Sequence, residues 1–233
     1  HHHHAAAISR MPRCSLVSVA VPDDDDDDSL SLSQPADVRP LTRVADTLCV
    51  LDGHNLAYRL FYGAPMISAS CGTPVNVVNG FCKRFFSVQE LYPGARLLMV
   101  FDEGKSVARN DLLPAYKGNR RPMPADLRPQ IELVREVSAL FGVPTISSPG
   151  VEADDIIAAC VSQARIDGAT KVIVTSTDKD LMQLVSPSGD ETRVTYYHDK
   201  LKAELDFDAV KEVHGVHPDR LADYLALVGD SKI

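Results

Sequence analysis

Two aspartates, Asp178 and Asp180, lie one residue apart at the end of a segment, Lys171–Thr177, that is rich in β-branched residues. Such a segment is typical of a buried parallel strand, so the chain is still held rigidly where the two carboxylates follow it. Asp52 and Asp102 follow two further apolar segments in the same way. Carboxylates that crowd together repel one another unless cations neutralise them. The pattern indicates a site for hard divalent cations such as Mg²⁺ or Mn²⁺.

A further group of acidic residues opens a predicted helix. Glu152, Asp154 and Asp155 fall within four residues, whereas one carboxylate would be enough to stabilise a helix N-terminus. Glu152 and Asp155 are three residues apart and therefore share a helix face. Asp230 closes the last predicted helix, which brings the acids to about the number that a two-metal site needs. Serine, histidine and cysteine residues show no comparable arrangement for nucleophilic catalysis.

Strands and helices alternate along the part of the chain that carries these acids. The apolar periodicity predicts strands at Leu48–Asp52, Leu97–Asp102, Val143–Ser147, Lys171–Thr177 and Arg193–Tyr197, and helices at Leu56–Tyr62, Val77–Leu91, Pro129–Phe141, Glu152–Ile166, Phe207–His214 and Pro218–Val228. This alternation predicts an α/β fold, in which a mostly parallel, Rossmann-like sheet carries helices on both faces. Ligands of such sheets bind at the carboxyl ends of the strands, where Asp52, Asp102 and Asp178 are predicted to meet.

The N-terminal segment, residues 1–47, differs in composition from residues 48–233. It contains His1–His4, interpreted as a tag remnant, and the run Asp23–Asp28, and it is predicted to be a disordered leader. Residues Ala5–Pro22 hold two arginines, several serines and no acid, which favours an organellar leader, in a plastid or mitochondrion, over a bacterial-type cytoplasm. The chain of 233 residues is therefore predicted to contain one folded domain, residues 48–233.

The whole-chain net charge of −8 is a poor guide to binding partners. Without the Asp23–Asp28 run, 26 of the 32 acidic residues remain against 24 basic residues, so the local distribution of charge has to decide. Five scattered cysteines without a C-x-x-C spacing argue against a disulfide framework and against a zinc site. No apolar segment approaches the ~20 residues that span a bilayer, so no membrane partner is predicted.

A basic segment, Lys105–Arg128, follows the strand that ends at Asp102. Its six basic residues face two acids, and prolines and a glycine divide it into short pieces. Beside a metal site such a segment suits a phosphate backbone, and Tyr116 is placed to stack on a base. The residues predicted to contact DNA here are Lys105, Arg109, Tyr116 and Arg121.

Five blocks of sequence carry a resemblance to a known family. "DGHNLAYRLF", "VFDEGKSVARNDLLPAYKGNRRPMPADLRPQI", "GVEADDIIA", "STDKDLMQLV" and "YLALVGD" resemble, in order and spacing, the 5′→3′ exonuclease domain of bacterial DNA polymerase I. They are also similar to phage exonucleases and to the wider flap-endonuclease superfamily. The resemblance runs from about Leu48 to Asp230.

The resemblance implies a Rossmann-like (PIN-like) sheet, a basic helical arch formed by residues 105–128, and two Mg²⁺ ions that Mn²⁺ can replace. It implies that the first ion is held by Asp52, Asp102, Glu152 and Asp154 with Asp155 beside them, and the second by Asp178, Asp180 and Asp230. It also implies that Lys117 is a catalytic lysine that reaches the scissile phosphate from the arch. Arg120 matches a second arch base, Tyr116 a stacking residue, and Arg59 a basic residue near the site.

The chain departs from the family pattern in two places. The family has Gly-Asp-x-x-Asp at its final acid pair, whereas Ile233 stands here at the second acid, which predicts a weaker second metal site. The sequence also ends before the helix-hairpin element by which the family grips duplex DNA with a K⁺ ion. That K⁺ site is therefore expected to be absent, and the chain is interpreted as a fragment or a reduced paralogue.

The leading hypothesis is a metal-dependent, structure-specific 5′ nuclease, a monomer that hydrolyses DNA phosphodiesters at 5′ ends or flaps in replication or repair. RNA–DNA substrates are also compatible with the sequence. Two alternatives stay open. One is a nucleic-acid-binding paralogue with weakened catalysis, motivated by Ile233, and the other is a PIN-type ribonuclease, against which the long segment 105–128 argues.

Overall fold

The computed structural model describes residues 47–104, 106, 109, 111 and 122–229, all within the unit that spans residues 41–233. The predicted leader, residues 1–47, lies outside the described residues except for its last residue. Most of the predicted arch, residues 105–128, also lies outside them. The domain boundary, the helical arch and the localisation therefore stay predictions.

Six strands form one mixed sheet in the order β3-β2-β1-β4-β5-β6. The strands are β1 (Thr47–Asp52), β2 (Arg96–Val100), β3 (Thr145–Ile146), β4 (Lys171–Ser176), β5 (Arg193–His198) and β6 (Ala203–Leu205). All neighbours pair in parallel except β5 and β6, which form an antiparallel edge. The predicted α/β fold with a mostly parallel sheet is confirmed.

Among the described residues, six complete α-helices and one 3₁₀-helix cover the two faces of this sheet. The α-helices are α1 (Gly53–Gly63), α2 (Asn76–Leu91), α3 (Arg128–Leu140), α4 (Ala153–Ile166), α5 (Phe207–His214) and α6 (Pro218–Val228), and the 3₁₀-helix is Lys179–Leu184. Successive side chains of β1 point to opposite faces of the sheet. Cys49 and Leu51 pack with α1, α2 and α3, whereas Val50 packs with α4 and α6. None of the described helices has the length and apolarity that crossing a membrane would require.

Two details of the core differ from the sequence interpretation. The apolar pattern of α2 predicts Phe81, Phe85, Phe86 and Val88 on or near one face. Three of these pack inward, but Phe86 is 55% exposed and meets the edge of the aromatic cluster around Phe141. Consecutive helical residues point about 100° apart, so Phe85 and Phe86 cannot both face the sheet. The short strand β6 was not predicted, because its sequence Ala-Glu-Leu contains no β-branched or aromatic residue.

A close contact fixes where α1 begins. A Cβ atom added to Gly53 would lie 2.5 Å from the aromatic ring of Phe101, which follows β2. Only a glycine therefore allows the first turn of α1 to approach the end of β2 this closely. The parallel register, in which Asp52 pairs with Val100 and Leu51 with Thr175, puts the carboxyl ends of β1, β2 and β4 at one edge of the sheet.

Candidate metal and nucleic-acid site

Asp52 is the most buried of the strand-end aspartates, at 6% exposure. It ends β1 and caps α1, and its carboxylate accepts hydrogen bonds from the backbone N–H of Asn55 (3.0 Å) and the hydroxyl of Ser176 (2.9 Å). Burial raises the pKa of Asp52 to about 6, the charges of Asp102 and Asp178 add to this shift, and the two hydrogen bonds oppose it. The ionised form of Asp52 is therefore poorly compensated by the described protein groups.

Asp102 joins the end of β2 to the start of α4. Its Oδ1 accepts a 2.7 Å hydrogen bond from the backbone N–H of Ala153, so this carboxylate, and not the side chain of Glu152, satisfies the helix N-terminus. The backbone N–H of Asp102 donates to Nδ1 of His54 (3.0 Å). Burial lowers the pKa of His54, and the neutral ring carries its proton on Nε2 because Nδ1 accepts this bond.

Asp178 and Asp180 follow β4 at the start of the 3₁₀-helix. Oδ1 of Asp178 accepts from the backbone N–H of Asp180 at 3.1 Å, and the backbone N–H of Asp178 donates to the Ser176 hydroxyl at the same distance. Beneath them the buried hydroxyl of Tyr196 donates to the backbone oxygens of Ser176 and Asp178. The chain leaving β4 is thus held by backbone and side-chain bonds, as its sequence predicted.

Glu152 and Asp155 are bridged by one arginine. Arg109 donates from Nη1 and Nη2 to both carboxylate oxygens of Asp155 (2.6 and 2.8 Å), and from Nη1 to Oε2 of Glu152 (2.9 Å). Glu152 is buried, whereas Asp155 and Arg109 are partly exposed. We call this group the Arg109 cluster. Its guanidinium supplies positive charge to two of the predicted metal-binding carboxylates, and the predicted contact of Arg109 with DNA stays a prediction.

A cavity of about 880 Å³ opens at this edge of the sheet. Four carboxylates line it, those of Asp52, Asp102, Asp154 and Asp178, and α1 adds a basic and aromatic wall of Tyr58, Arg59 and Tyr62. The Tyr58 and Tyr62 rings are nearly parallel, with centroids 6.5 Å apart. The sequence predicts one metal-binding pocket shared by Asp102, Glu152, Asp178 and Asp180. Asp102 and Asp178 line this cavity, whereas Glu152 and Asp180 are not among its lining residues.

Arg59 belongs to a second ion-pair cluster. Asp199, in the turn between β5 and β6, forms ion pairs with Nη1 of Arg59 and with Nη2 of Arg84, the latter at 2.9 Å. The Arg84 guanidinium also lies over the Tyr197 ring, 4.6 Å from its centroid. We call Arg59, Arg84 and Asp199 the Asp199 cluster. It leaves one positive charge in excess beside the cavity.

The donor set suits a hard divalent cation by its chemistry. All the candidate groups are carboxylates, and the pKa of Asp52 is raised mainly because burial leaves its charge poorly solvated, which such a cation would relieve. Within the described residues, however, no three His, Cys, Asp or Glu side chains group closely enough to hold a metal ion. Asp52 and Asp102 turn toward protein donors, and Arg109 draws Glu152 and Asp155 together. The predicted ligand set therefore stays a prediction.

Several predicted residues lie outside the described part of the chain. These are Asp230 and Ile233 at the final acid pair, and Lys105, Tyr116, Lys117, Arg120 and Arg121 of the basic segment. The sequence reasoning missed the supporting residues His54, Asn55, Ser176 and Asp199. The side chain of Asn55 ties the N-terminus of α1 to Thr177 beyond β4, because its Oδ1 accepts hydrogen bonds from the Thr177 N–H and hydroxyl at 3.0 and 2.8 Å.

The fold and the site define the chain as an α/β protein with an acid-lined cavity at the carboxyl ends of parallel strands, the edge at which such sheets bind their ligands. Residues 47–215, more than half of the chain, match the family described as "5′-3′ exonuclease, N-terminal resolvase-like domain". The chain belongs to this family. The resemblance inferred from the five sequence blocks is confirmed.

Individual relatives agree with the family. DNA polymerase I of Pseudomonas aeruginosa is 36% identical over 184 residues, which cover 78% of this chain and 19% of the relative. A 5′-3′ exonuclease of Aquifex aeolicus is 36% identical over 184 residues, covering 79% of this chain and 62% of the relative. The chain therefore spans about a fifth of the polymerase and less than two thirds of the exonuclease.

Solved structures show the same fold. The T5 D15 protein co-crystallised with metal ions superposes with a TM-score of 0.65 at 22% identity, over 80% of this chain and 68% of that protein. A complex of the bacteriophage T5 D15 flap endonuclease with DNA and metal ions gives 0.62 at 24% identity, over 80% and 67% of the two chains. At such identities the likeness establishes the resolvase-like, PIN-like fold alone.

Proposed function

We propose that this chain is the catalytic domain of a divalent-metal-dependent 5′ nuclease that hydrolyses DNA phosphodiesters at 5′ ends or flaps. The observation that carries the proposal is the convergence of Asp52, Asp102 and Asp178 on one cavity whose other wall holds Arg59. Carboxylates attract the cations that a phosphodiester needs for hydrolysis, and the arginine attracts the phosphate itself. A role in replication or repair would follow from this activity.

The substrate class is supported by the relatives. One is a 5′-3′ exonuclease, and a protein of the same fold is a flap endonuclease crystallised with DNA. The wall formed by Tyr58, Arg59 and Tyr62 suits a single strand, because aromatic faces stack on bases and guanidinium groups bind phosphates. We propose that Lys105, Tyr116 and Arg121 of the basic segment extend this contact along the strand.

The residues that would hold two Mg²⁺ or Mn²⁺ ions are all acidic. When bound, such ions neutralise phosphate charge and lower the pKa of water, which supplies the nucleophile. We propose that one ion is held by Asp52, Asp102, Glu152 and Asp154 with Asp155 beside them, and the other by Asp178, Asp180 and Asp230. Glu152 and Asp155 have to exchange their contact with Arg109 in order to take part.

The chain's own residues position these groups. Neutral His54 accepts a hydrogen bond from the backbone N–H of Asp102. It thereby orients the end of β2 without adding charge to the cavity. Ser176 holds Asp52 and the backbone of Asp178 from one hydroxyl. Arg59 binds and orients the phosphate backbone. We propose that Lys117, with Arg120 beside it, stabilises the negative charge that grows on the scissile phosphate in the transition state.

Cleavage of a 5′-labelled DNA flap with and without Mg²⁺ tests the proposal. We expect short labelled products only with Mg²⁺ or Mn²⁺, and loss of cleavage in Asp178→Asn. Asp167→Asn is the matched control, since Asp167 is an exposed acid beyond the far end of α4. Cleavage that persists in a chelator, or that survives Asp178→Asn, would contradict a metal-dependent site at this edge of the sheet.

The same assay separates the alternatives. Tight flap binding without cleavage at any metal concentration would indicate the DNA-binding paralogue, which is the second candidate because Ile233 replaces a family acid. Cleavage of a labelled single-stranded RNA in preference to the DNA flap would indicate a PIN-type ribonuclease.

A further inference from the structure

The Asp199 cluster joins three separate parts of the fold. Arg59 comes from α1, Arg84 from α2, and Asp199 from the turn between β5 and β6. The Asp199 and Arg84 side chains are 9% and 12% exposed, whereas that of Arg59 is 32% exposed and lines the cavity. The three residues thus run from the protein interior to the wall of the candidate site.

The negative charge of Asp199 is balanced by the guanidinium of Arg84. Its guanidinium is nearly buried, is stacked over Tyr197, and has a buried Nε without a hydrogen-bond partner among the described residues. A buried cation in this position needs a counter-ion, and Asp199 supplies it. Since one carboxylate meets two guanidinium groups, the charge of Asp199 is balanced by Arg84, and Arg59 remains as a surplus cation at the cavity.

The contact with Asp199 restricts Arg59 without using all of its donors. Asp199 meets Nη1 of Arg59 and also pairs with Arg84, and a guanidinium carries five N–H donors in a planar fork, more than one shared carboxylate can take up. An unrestrained arginine loses the freedom of several rotatable bonds when it binds a phosphate. An arginine already held at the cavity wall loses less, so the anion binds more tightly.

We propose that Asp199, supported by Arg84, is a positioning residue that holds Arg59 ready for a backbone phosphate of the nucleic-acid strand. The inference rests on the proposed function, because it needs a nucleic acid in the cavity. It adds to that function an arginine, Arg59, that is already oriented before the nucleic acid binds. The residue that orients it, Asp199, lies 140 positions away in the sequence and does not itself touch the ligand.

The test has to separate positioning from folding and from net charge. Asp199→Ala alone leaves Arg84 buried without a counter-ion and destabilises the fold, so a change in binding by this variant could not be assigned to Arg59. The measurements therefore use the full chain with Arg84→Met, which removes that buried cation and lets a thioether pack on the Tyr197 ring. In this background Asp199→Asn and Asp199→Ala have the same net charge, but only asparagine keeps an oxygen that accepts from Arg59.

Binding of a fluorescein-labelled 5′-flap DNA is measured by anisotropy in a chelator, so that no cleavage occurs. We expect the alanine form to bind roughly 2- to 12-fold more weakly than the asparagine form, the range that ordering one long side chain accounts for. Adding Arg59→Ala to both forms should abolish the difference, because Asp199 acts only through Arg59. A general effect on folding would weaken binding equally in both backgrounds.

The outcomes distinguish this inference from the proposed function. If the unmodified chain does not bind the flap, or if Arg59→Ala changes neither affinity nor its salt dependence, the proposed role of the cavity wall fails, and the inference fails with it. If Arg59→Ala weakens binding and lowers the salt slope by about 0.7, the value for one phosphate contact on a single strand, while the asparagine and alanine forms bind alike, the inference alone is overturned. Tighter binding by the alanine form would also overturn it.

Discussion

The two ion-pair clusters beside the cavity have opposite compositions. In the Arg109 cluster one arginine bridges two carboxylates, Glu152 and Asp155, and the group carries one negative charge in excess. In the Asp199 cluster one carboxylate bridges two arginines, and the group carries one positive charge in excess. The edge of the sheet therefore favours cations on the side of α4, and the wall formed by α1 favours an anion.

The clusters also differ in burial, which bears on what each can do. Asp199, the one carboxylate of its cluster, is 9% exposed, whereas in the Arg109 cluster only Glu152 is as buried and Asp155, which takes two hydrogen bonds from Arg109, is 47% exposed. Breaking a buried ion pair leaves an uncompensated charge and is costly, while an exposed pair contributes little. The comparison teaches that the Asp199 cluster can serve as a fixed wall, and that the Arg109 cluster can exchange its arginine for other cations.

The largest expected effect is on the cleavage rate, and it distinguishes two basic residues of the site, Lys117 and Arg59. Lys117→Ala should lower single-turnover cleavage by on the order of 10²–10³-fold with little change in flap affinity, because a cation at the scissile phosphate acts mainly in the transition state. Arg59→Ala should instead weaken affinity and lower its salt dependence. Single-turnover rates and anisotropy on the same flap give both quantities. Equal single-turnover rates for Lys117→Ala and the unmodified chain would make Lys117 an ordinary surface base.

A second prediction concerns stability at the acidic side. Burial raises the pKa of Asp52 from 3.8 to about 6, so the folded chain binds this proton more tightly than the unfolded chain does. The resulting stabilisation is complete below about pH 4 and is lost as the pH rises through about 6. In a chelator, Asp52→Asn should therefore raise the free energy of unfolding by up to about 3 kcal/mol at pH 8 and by about half of that at pH 5. Denaturant titrations that show the same gain at both pH values would mean that Asp52 is not the titrating group.

A third prediction compares the two clusters directly. Asp199→Ala should lower the free energy of unfolding by about 2 kcal/mol, less than for a fully buried pair because Arg59 reaches solvent. Asp155→Ala should lower it by under about 1 kcal/mol, since its pair with Arg109 is exposed. Urea titrations at neutral pH in a chelator give both values. Similar losses in the two variants would remove the distinction between a fixed and an exchangeable cluster.

The smallest expected effect concerns the exchange itself. Arg109→Gln removes the positive charge that Glu152 and Asp155 share, so Mn²⁺ should bind up to about 5-fold more tightly, as the value of the exposed pair between Arg109 and Asp155 allows. Calorimetric Mn²⁺ titration in the absence of DNA measures this without any cleavage. Weaker Mn²⁺ binding would show that Arg109 organises the two carboxylates for the ion and does not compete with it.

The sequence predicted the fold well because its main signals are local. Periodic apolar residues located every strand except β6, and the parallel alternation then brought Asp52, Asp102 and Asp178 to one edge. The ion-pair clusters were not predictable in this way. In the sequence, Arg109 is 43 and 46 residues from its two partners, and Asp199 is more than 100 residues from each of the two arginines that it contacts. Which charges pair at that range depends on the reach of individual side chains in the folded chain, and no periodic pattern encodes it.

The contact between Gly53 and the Phe101 ring has a consequence for how sequence variants of this chain should be interpreted. Gly53→Ala changes no charge and removes no functional group, so it would pass as a mild substitution in a helix. The added methyl group would nevertheless force the ring and the start of α1 apart, and with them the ends of β1 and β2 that carry Asp52 and Asp102. We expect this variant to fold, to keep its helix content, and to lose cleavage, so position 53 would count among the loss-of-function positions although it has no chemistry of its own.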